Sequence, residues 1–167
     1  MSHPVLGLPP ADPTVGRSDA AARLRGDRDR IGALGLEAAL AADPGLAQRY
    51  DETMQRRFLR DFQQHVEQLA RALETGQARL VTEYAEWLMP IFRRRRVSVA
   101  DQTTLLGGLR QAAASVLTPD DGRALGALMD AWLERLRLHK ALPGDHKGNK
   151  VVRLIWKGAG ILDETAV

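Results

Sequence analysis

Large apolar residues recur three and four positions apart along most of this sequence, which is the spacing of one face of an α-helix. Four such stripes are present: Tyr50, Met54, Phe58, Phe62, Val66, Leu69 and Leu73; Leu80, Tyr84, Trp87, Leu88, Ile91 and Phe92; Val99, Thr103, Leu106, Leu109, Ala113, Val116 and Leu117; and Leu125, Met129, Trp132 and Leu136. A β-strand could not bury residues at this spacing on one face. The sequence therefore predicts an all-α fold, an antiparallel helical bundle of four main helices joined by short connections.

Local signals predict where these helices begin and end. A polar cap followed by proline or by an acid three positions later marks a helix start, and glycine after an apolar stripe marks an end. Starts are predicted at Asp43-Pro44, at Ser98 with Asp101, and at Thr118-Pro119, and an end at Gly76.

An additional helical segment is predicted over residues 19–42, after the start signal Ser18-Asp19. Gly26, Gly32 and Gly35 weaken this segment, each by about 1 kcal/mol relative to alanine in a helix interior. Two roles remain open for it: the segment joins the core, or it swaps onto a neighbouring subunit.

The predicted domain organisation has three parts. Residues 1–17 contain four prolines and are expected to form a flexible arm, and residues 18–142 form the helical bundle domain. Residues 143–167 form a tail that combines basic and apolar residues. Within it, Val152, Leu154, Ile155 and Trp156 are candidate partner-binding residues, because such a segment can add a strand to a sheet edge or lie in a groove.

Composition limits the function classes. The 167 residues include no cysteine, which excludes disulfides, thiolate metal sites and cysteine nucleophiles. No apolar run approaches the roughly 20 residues of a membrane span, and the sequence begins Met1-Ser2-His3-Pro4 without the pattern of a secretory signal. A cytoplasmic location without membrane contact is expected. The net charge of +3 permits nucleic-acid binding without requiring it.

Catalytic signatures are absent from the sequence. A di-iron carboxylate bundle needs Glu-x-x-His on two helices, and this pattern does not occur. A serine nucleophile elbow, a phosphate-binding Walker loop and zinc-ligand spacing are also missing. The sequence therefore predicts a protein that is not an enzyme.

Four residues are candidates for binding a cofactor, whose identity is unknown: His65, Tyr84, Trp87 and Trp132. His65 lies on or beside the first apolar face, where it could ligate haem iron, and the three aromatics could line a flat pocket. The alternative is a core imidazole hydrogen-bonded to Tyr84, a carbonyl or an acid, among ordinary core aromatics. Asp61, one turn earlier, could orient the imidazole in either case.

The run Arg93, Arg94, Arg95 and Arg96 is a candidate anion-binding site, for phosphate or for nucleic acid. The same residues follow the second stripe, where cations stabilise a helix C-terminus through its dipole. Gly107-Gly108 falls inside the third predicted helix, without the context of a phosphate loop. We interpret this pair as permitting close helix packing or as a weak point.

Residues 58–117 resemble a known family. The resemblance is carried by Phe58, Asp61 and His65, then Leu69-Ala70-x-Ala72-Leu73, Tyr84-x-x-Trp87, and Arg96-Val97 leading to Leu105 and Leu109. It is to the helical N-terminal domain of bacterial regulators in which a cobalamin-binding domain follows. The resemblance implies a sensory or regulatory module that signals through helix packing as a dimer. The family's Asp-x-His-x-x-Gly motif is not matched, since Asp145 and His146 are adjacent, and cobalamin binding by this chain alone is not expected.

Three functional hypotheses follow. The first is a non-enzymatic regulatory or sensory module with a protein partner, which includes a second copy of the chain. The second is a carrier of haem or another small molecule with His65 as ligand. The third is a nucleic-acid-binding protein that uses the run Arg93–Arg96 and the basic tail.

Overall fold

The computed structural model describes residues 16–140, and this part of the chain is entirely helical, with short turns and no strand. Its helices are α1 (Ser18–Gly26), α2 (Arg28–Ala42), α3 (Gly45–Arg49), α4 (Glu52–Thr75), α5 (Arg79–Arg94), α6 (Val99–Ala114) and α7 (Pro119–Lys140). The predicted all-α class is confirmed. The predicted arm and tail lie largely outside the described residues.

Helix α4 is at the centre of the packing. It contacts α1, α2, α5 and α7, whereas α6 contacts α2 and α7, and α5 also contacts α7. These contacts close a ring from α4 through α2, α6, α7 and α5. Helix α2, which the sequence analysis placed outside the four main helices, therefore joins α4 to α6.

The segment predicted over residues 19–42 forms α1 and α2, with a break at Asp27. Leu24, Ile31, Leu36 and Ala39 from these helices are buried in the core of the same chain. Arg25 in α1 also pairs with Glu67 and Glu74 of α4. In this structure the segment therefore joins the core of its own chain, the first of the two roles left open by the sequence.

Most predicted helix ends are confirmed by their hydrogen bonds. The Ser98 hydroxyl accepts the Asp101 amide hydrogen at 3.1 Å, and the Thr118 hydroxyl accepts that of Asp121 at 3.2 Å. Gly76 ends α4 in the left-handed conformation, with φ of 65°. These three signals each act within one turn of the helix that they begin or end.

The region around Tyr50 differs from the prediction, which ran one helix from Pro44 to Leu73. The Asp43 carboxylate accepts the Gly45 amide hydrogen at 2.9 Å, but α3 begins at Gly45, one residue after Pro44, and ends at Arg49, where Tyr50 is extended. Asp51 then caps α4 by accepting the Met54 amide hydrogen at 2.8 Å. This second cap lets the Tyr50 side chain turn inward instead of continuing the helix.

The buried face of α5 is also different from the predicted stripe. Its buried residues are Val81, Ala85, Leu88, Met89 and Phe92. Leu80, Tyr84 and Ile91 are partly buried, and Trp87 is 61% exposed. Leu88 and Phe92 belong to both sets, whereas Val81, Ala85 and Met89 take the buried positions predicted for the other members of the stripe. Pro90 lies inside α5 without ending it.

Candidate functional site

His65 of α4 lies in the centre of the described domain. The side chain is buried, and its Nδ1 atom is hydrogen-bonded to the Tyr84 hydroxyl at 3.0 Å. The imidazole packs edge-on against Trp132 of α7, with ring centroids 5.0 Å apart. Of the two alternatives for His65, this arrangement is that of a core imidazole hydrogen-bonded to Tyr84.

A small cavity lies beside this imidazole. Its walls include His65, Asp61, Phe62, Gln102 and Trp132, and its volume is about 10 Å³. That is close to the smallest space that holds one water molecule, whereas pockets for drug-sized ligands have volumes of about 300–1,000 Å³. A haem could enter only if the helices around His65 separated.

The four cofactor candidates divide into two groups. Tyr84 and Trp132 contact His65 and each other, with 5.4 Å between the Tyr84 and Trp132 ring centroids. Trp87 instead lies at the surface, stacked on the outer side of Tyr84 at 5.8 Å and 21°. Trp87 therefore does not line the cavity beside His65, because α5 turns its side chain outward.

Asp61 lines the cavity but does not orient His65. Its carboxylate accepts a hydrogen bond from Nη1 of Arg95 at 2.6 Å, across the α4–α5 contact. Burial raises the pKa of the Asp61 carboxyl, although the positive charge of Arg95 opposes this. Burial likewise raises the pKa of the Tyr84 phenol, and the charge of Asp61 adds to the effect.

The imidazole of His65 is neutral in the folded protein over a wide pH range. Burial, and then the positive charge of Arg95, lower its pKa to about 3, from roughly 6.5 in an unfolded chain. Below about pH 6.5 the unfolded chain gains a proton that the folded protein does not, until about pH 3. The stability that depends on this group is therefore lost as the pH falls through this window.

We expect the free energy of unfolding to decrease by about 2 kcal/mol between about pH 7 and about pH 5 because of His65 alone. Urea unfolding of the wild type and of His65→Gln at both pH values measures this. Glutamine can still bond Tyr84 but cannot take up the proton, so the variant should lose much less stability. Equal losses in the two proteins would contradict the assignment.

The arginine run is not one surface. Arg95 is partly buried and held by Asp61, while Arg93, Arg94 and Arg96 are exposed. Arg93 and Arg94 form the last turn of α5, where cations stabilise the helix dipole. Arg95 and Arg96 instead face a groove that also includes Arg49 from the end of α3.

A second buried polar group was missed by the sequence analysis. The Asp101 carboxylate accepts hydrogen bonds from the Tyr50 hydroxyl at 2.6 Å and from Nη2 of Arg49 at 2.8 Å. Burial raises the pKa of Asp101, but hydrogen bonds from Tyr50, Ser98 and Arg49 outweigh it and hold the pKa below its ordinary value. Only the helix-start signal at Ser98 pointed to Asp101, and it gave no indication of Tyr50.

The remaining candidates, Val152, Leu154, Ile155 and Trp156, lie outside the described residues. Within residues 16–140, no group of three or more His, Asp or Glu side chains is arranged to hold a metal ion. No helix in this range is long and apolar enough to cross a membrane. No protein-family model matches the chain, and no curated protein is significantly similar to it in sequence.

Proposed function

We propose that this chain is a non-enzymatic regulatory or sensory helical module that acts in the cytoplasm through protein–protein contacts. The observation that carries the proposal is the exposure of Trp87. An indole that is 61% exposed leaves a large apolar area in water, and tryptophan is among the residues that dominate binding energy at interfaces. The resemblance of residues 58–117 to the helical domain of bacterial regulators agrees with this function.

Trp87 is held in place before any partner binds. Its ring stacks on Tyr84, whose hydroxyl is hydrogen-bonded to His65 and whose ring packs against Trp132. A side chain that is already ordered loses less conformational entropy on binding. The same contacts connect the exposed indole to the buried imidazole. A partner that moved Trp87 would therefore also shift side chains packed between α4, α5 and α7.

The surface next to Trp87 suits a protein contact. Its neighbour in sequence, Glu86, pairs with Arg135 of α7 at 3.2 Å. An apolar centre with charged groups around it is the usual composition of a protein interface.

The proposed arrangement of α4 to α7 is antiparallel between consecutive packed helices. Two contacts support this for α4 and α5, since Asp61 meets Arg95 whereas His65 meets Tyr84. For α6 and α7, Arg110 pairs with Asp130, and Leu105 and Trp132 line one cavity. In both pairs, residues with higher numbers in one helix contact residues with lower numbers in the other, as antiparallel helices do.

The partner that we propose first is a second copy of the chain, joined through Trp87. Sedimentation of the wild type at tens of micromolar should then give a dimer. Trp87→Glu should weaken the dimer at least about 30-fold, since a tryptophan anchor is worth about 2 kcal/mol or more. Thermal melts at low concentration would show that the variant still folds.

Leu34→Glu is the matched control, because Leu34 is also exposed but lies on α2, which packs against α4 and α6. This variant should dimerise as the wild type does. A strict monomer at tens of micromolar would rule out the homodimer. Equal weakening by both substitutions would rule out Trp87 as the anchor.

A further inference from the structure

Helices α4 and α5 end in the same backbone motif with different residues at the critical position. After α4, the Gln77 amide donates to the Ala72 carbonyl at 3.1 Å, around Gly76 with φ of 65°. After α5, the Val97 amide donates to the Phe92 carbonyl at 3.0 Å, around Arg96 with φ of 59°. The second end therefore has an arginine where the first has glycine.

This conformation is unfavourable for arginine. A left-handed backbone brings Cβ close to the following carbonyl oxygen, and glycine avoids the contact because it has no Cβ. Arg96 is the one residue other than glycine with positive φ within residues 16–140. Backbone strain that persists at one position points to a use for the side chain there.

The side chain of Arg96 lines an open groove with a volume of about 550 Å³. We call it the arginine groove; it is lined by Ala47, Gln48, Arg49, Tyr50, Asp51, Met54, Arg95 and Arg96. Three arginines thus come together from two parts of the sequence, the last residue of α3 and the turn after α5. Arg93 and Arg94 do not line it.

Two of these arginines are held in position by carboxylates of the same chain. Nη2 of Arg49 donates to both Asp43 and Asp101. Arg95 donates to Asp61 through Nη1, and its guanidinium lies 6.0 Å from the centre of the Phe92 ring. Each guanidinium uses one terminal nitrogen in these contacts, so its other N–H donors have no partner among the described residues.

Arg96 differs from them, because within residues 16–140 no carboxylate pairs with it. The acid in the groove is Asp51, whose carboxylate already accepts the Met54 amide hydrogen at the start of α4. The groove therefore presents two positioned guanidiniums and one unpaired guanidinium to solvent.

We propose that the arginine groove binds a phosphate group, free or attached to a serine side chain, with Arg96 as its principal contact. Guanidinium groups match the geometry of phosphate and can donate two parallel hydrogen bonds to it. A phosphate has three acceptor oxygens for such donors. Carboxylates beneath Arg49 and Arg95 neutralise part of the charge, which favours one phosphate over a long nucleic-acid backbone.

The test uses the full chain, with inorganic phosphate and a phosphoserine-containing pentapeptide as probes at constant ionic strength. Backbone amide shifts in NMR spectra locate the binding, and shifts at Arg96, Arg49 and Met54 are expected. Arg96→Gly should weaken binding of both probes at least tenfold. Its thermal midpoint should stay the same or rise by about 2–4 °C, since glycine relieves the left-handed backbone.

Arg94→Gln is the control, because it removes an equal charge from the same run outside the groove, and it should bind both probes as the wild type does. A peptide that binds tenfold more tightly than phosphate would identify a phosphorylated protein as the source, and equal affinity would identify the anion itself. The proposal is overturned if neither probe binds at a concentration of about 10 mM. It is also overturned if Arg96→Gly and Arg94→Gln lose affinity equally. Tighter binding of a single-stranded DNA 12-mer than of the phosphopeptide would also overturn it. None of these results depends on Trp87, so the dimer proposal can stand or fail separately.

Discussion

Phe62→Ala is expected to lower the free energy of unfolding by about 3–5 kcal/mol, the usual loss when a large core aromatic is truncated. Phe62 is 2% exposed and lies in the middle of α4. It faces α2 at Gly32 and Gly35, and it also forms part of the wall of the cavity beside His65. Truncation would enlarge that cavity and remove contacts between α4 and α2 together.

Denaturant unfolding at neutral pH measures this loss, with Leu138→Ala as the comparison. Leu138 is 53% exposed, and truncation of such a residue changes stability by no more than about 0.5 kcal/mol. A loss below about 1 kcal/mol for Phe62→Ala would mean that the apolar stripe of α4 does not face the core as described.

The stripes on α4 and α7 could be predicted because each helix buries a continuous face. Phe58, Phe62, Val66 and Leu69 are all buried, as are Leu125, Met129, Trp132 and Leu136. Periodicity is a property of one helix, so a sequence reveals it without knowledge of the neighbours. The same holds for the helix ends at Gly76, Ser98 and Thr118, which depend on residues within one turn.

The face of α5 could not be predicted in the same way. Both Tyr84 and Trp87 are large and apolar, but α5 packs against α4 and α7 through Ala85 and its neighbours, so Trp87 is left outside. Which of two adjacent faces is buried depends on the shape of the helices that cover it. That information is spread over several segments of the chain.

The polar pairs of the candidate sites could not be predicted either, because their partners lie far apart in the sequence. Asp61 bonds Arg95, 34 residues away, and Asp101 bonds Tyr50, 51 residues away. A single sequence contains many acids and arginines, and spacing does not select such distant partners. The bond between His65 and Tyr84 could be named as one alternative, because His65 lies on or beside the stripe of α4 and Tyr84 belongs to the stripe of the next long helix.

Glycines in α2 and α6 have opposite effects on the isolated helix and on the fold. In isolation, Gly32 and Gly35 weaken α2. In the fold, α2 and α6 approach so closely that a Cβ atom at Gly35 would lie 3.0 Å from Cα of Leu109. A Cβ atom at Gly108 would lie 2.7 Å from the Ala39 nitrogen and would overlap the Gly35 carbonyl oxygen. The contact between these two helices requires glycine at both positions.

We therefore expect Gly108→Ala to lower the free energy of unfolding by about 2–3 kcal/mol. The added methyl group meets backbone atoms that cannot rotate away, so the destabilisation by overpacking is at the upper end of its usual range. The higher helix propensity of alanine offsets part of this destabilisation. Gly107→Ala is the matched control, since a Cβ atom at Gly107 has no atom within 4 Å. That variant should gain about 0.5–1 kcal/mol, so two neighbouring glycines should respond to the same substitution with opposite signs. Urea unfolding of both variants and the wild type measures the difference. If Gly108→Ala were as stable as Gly107→Ala, α2 and α6 could not be in contact at Gly35 and Gly108.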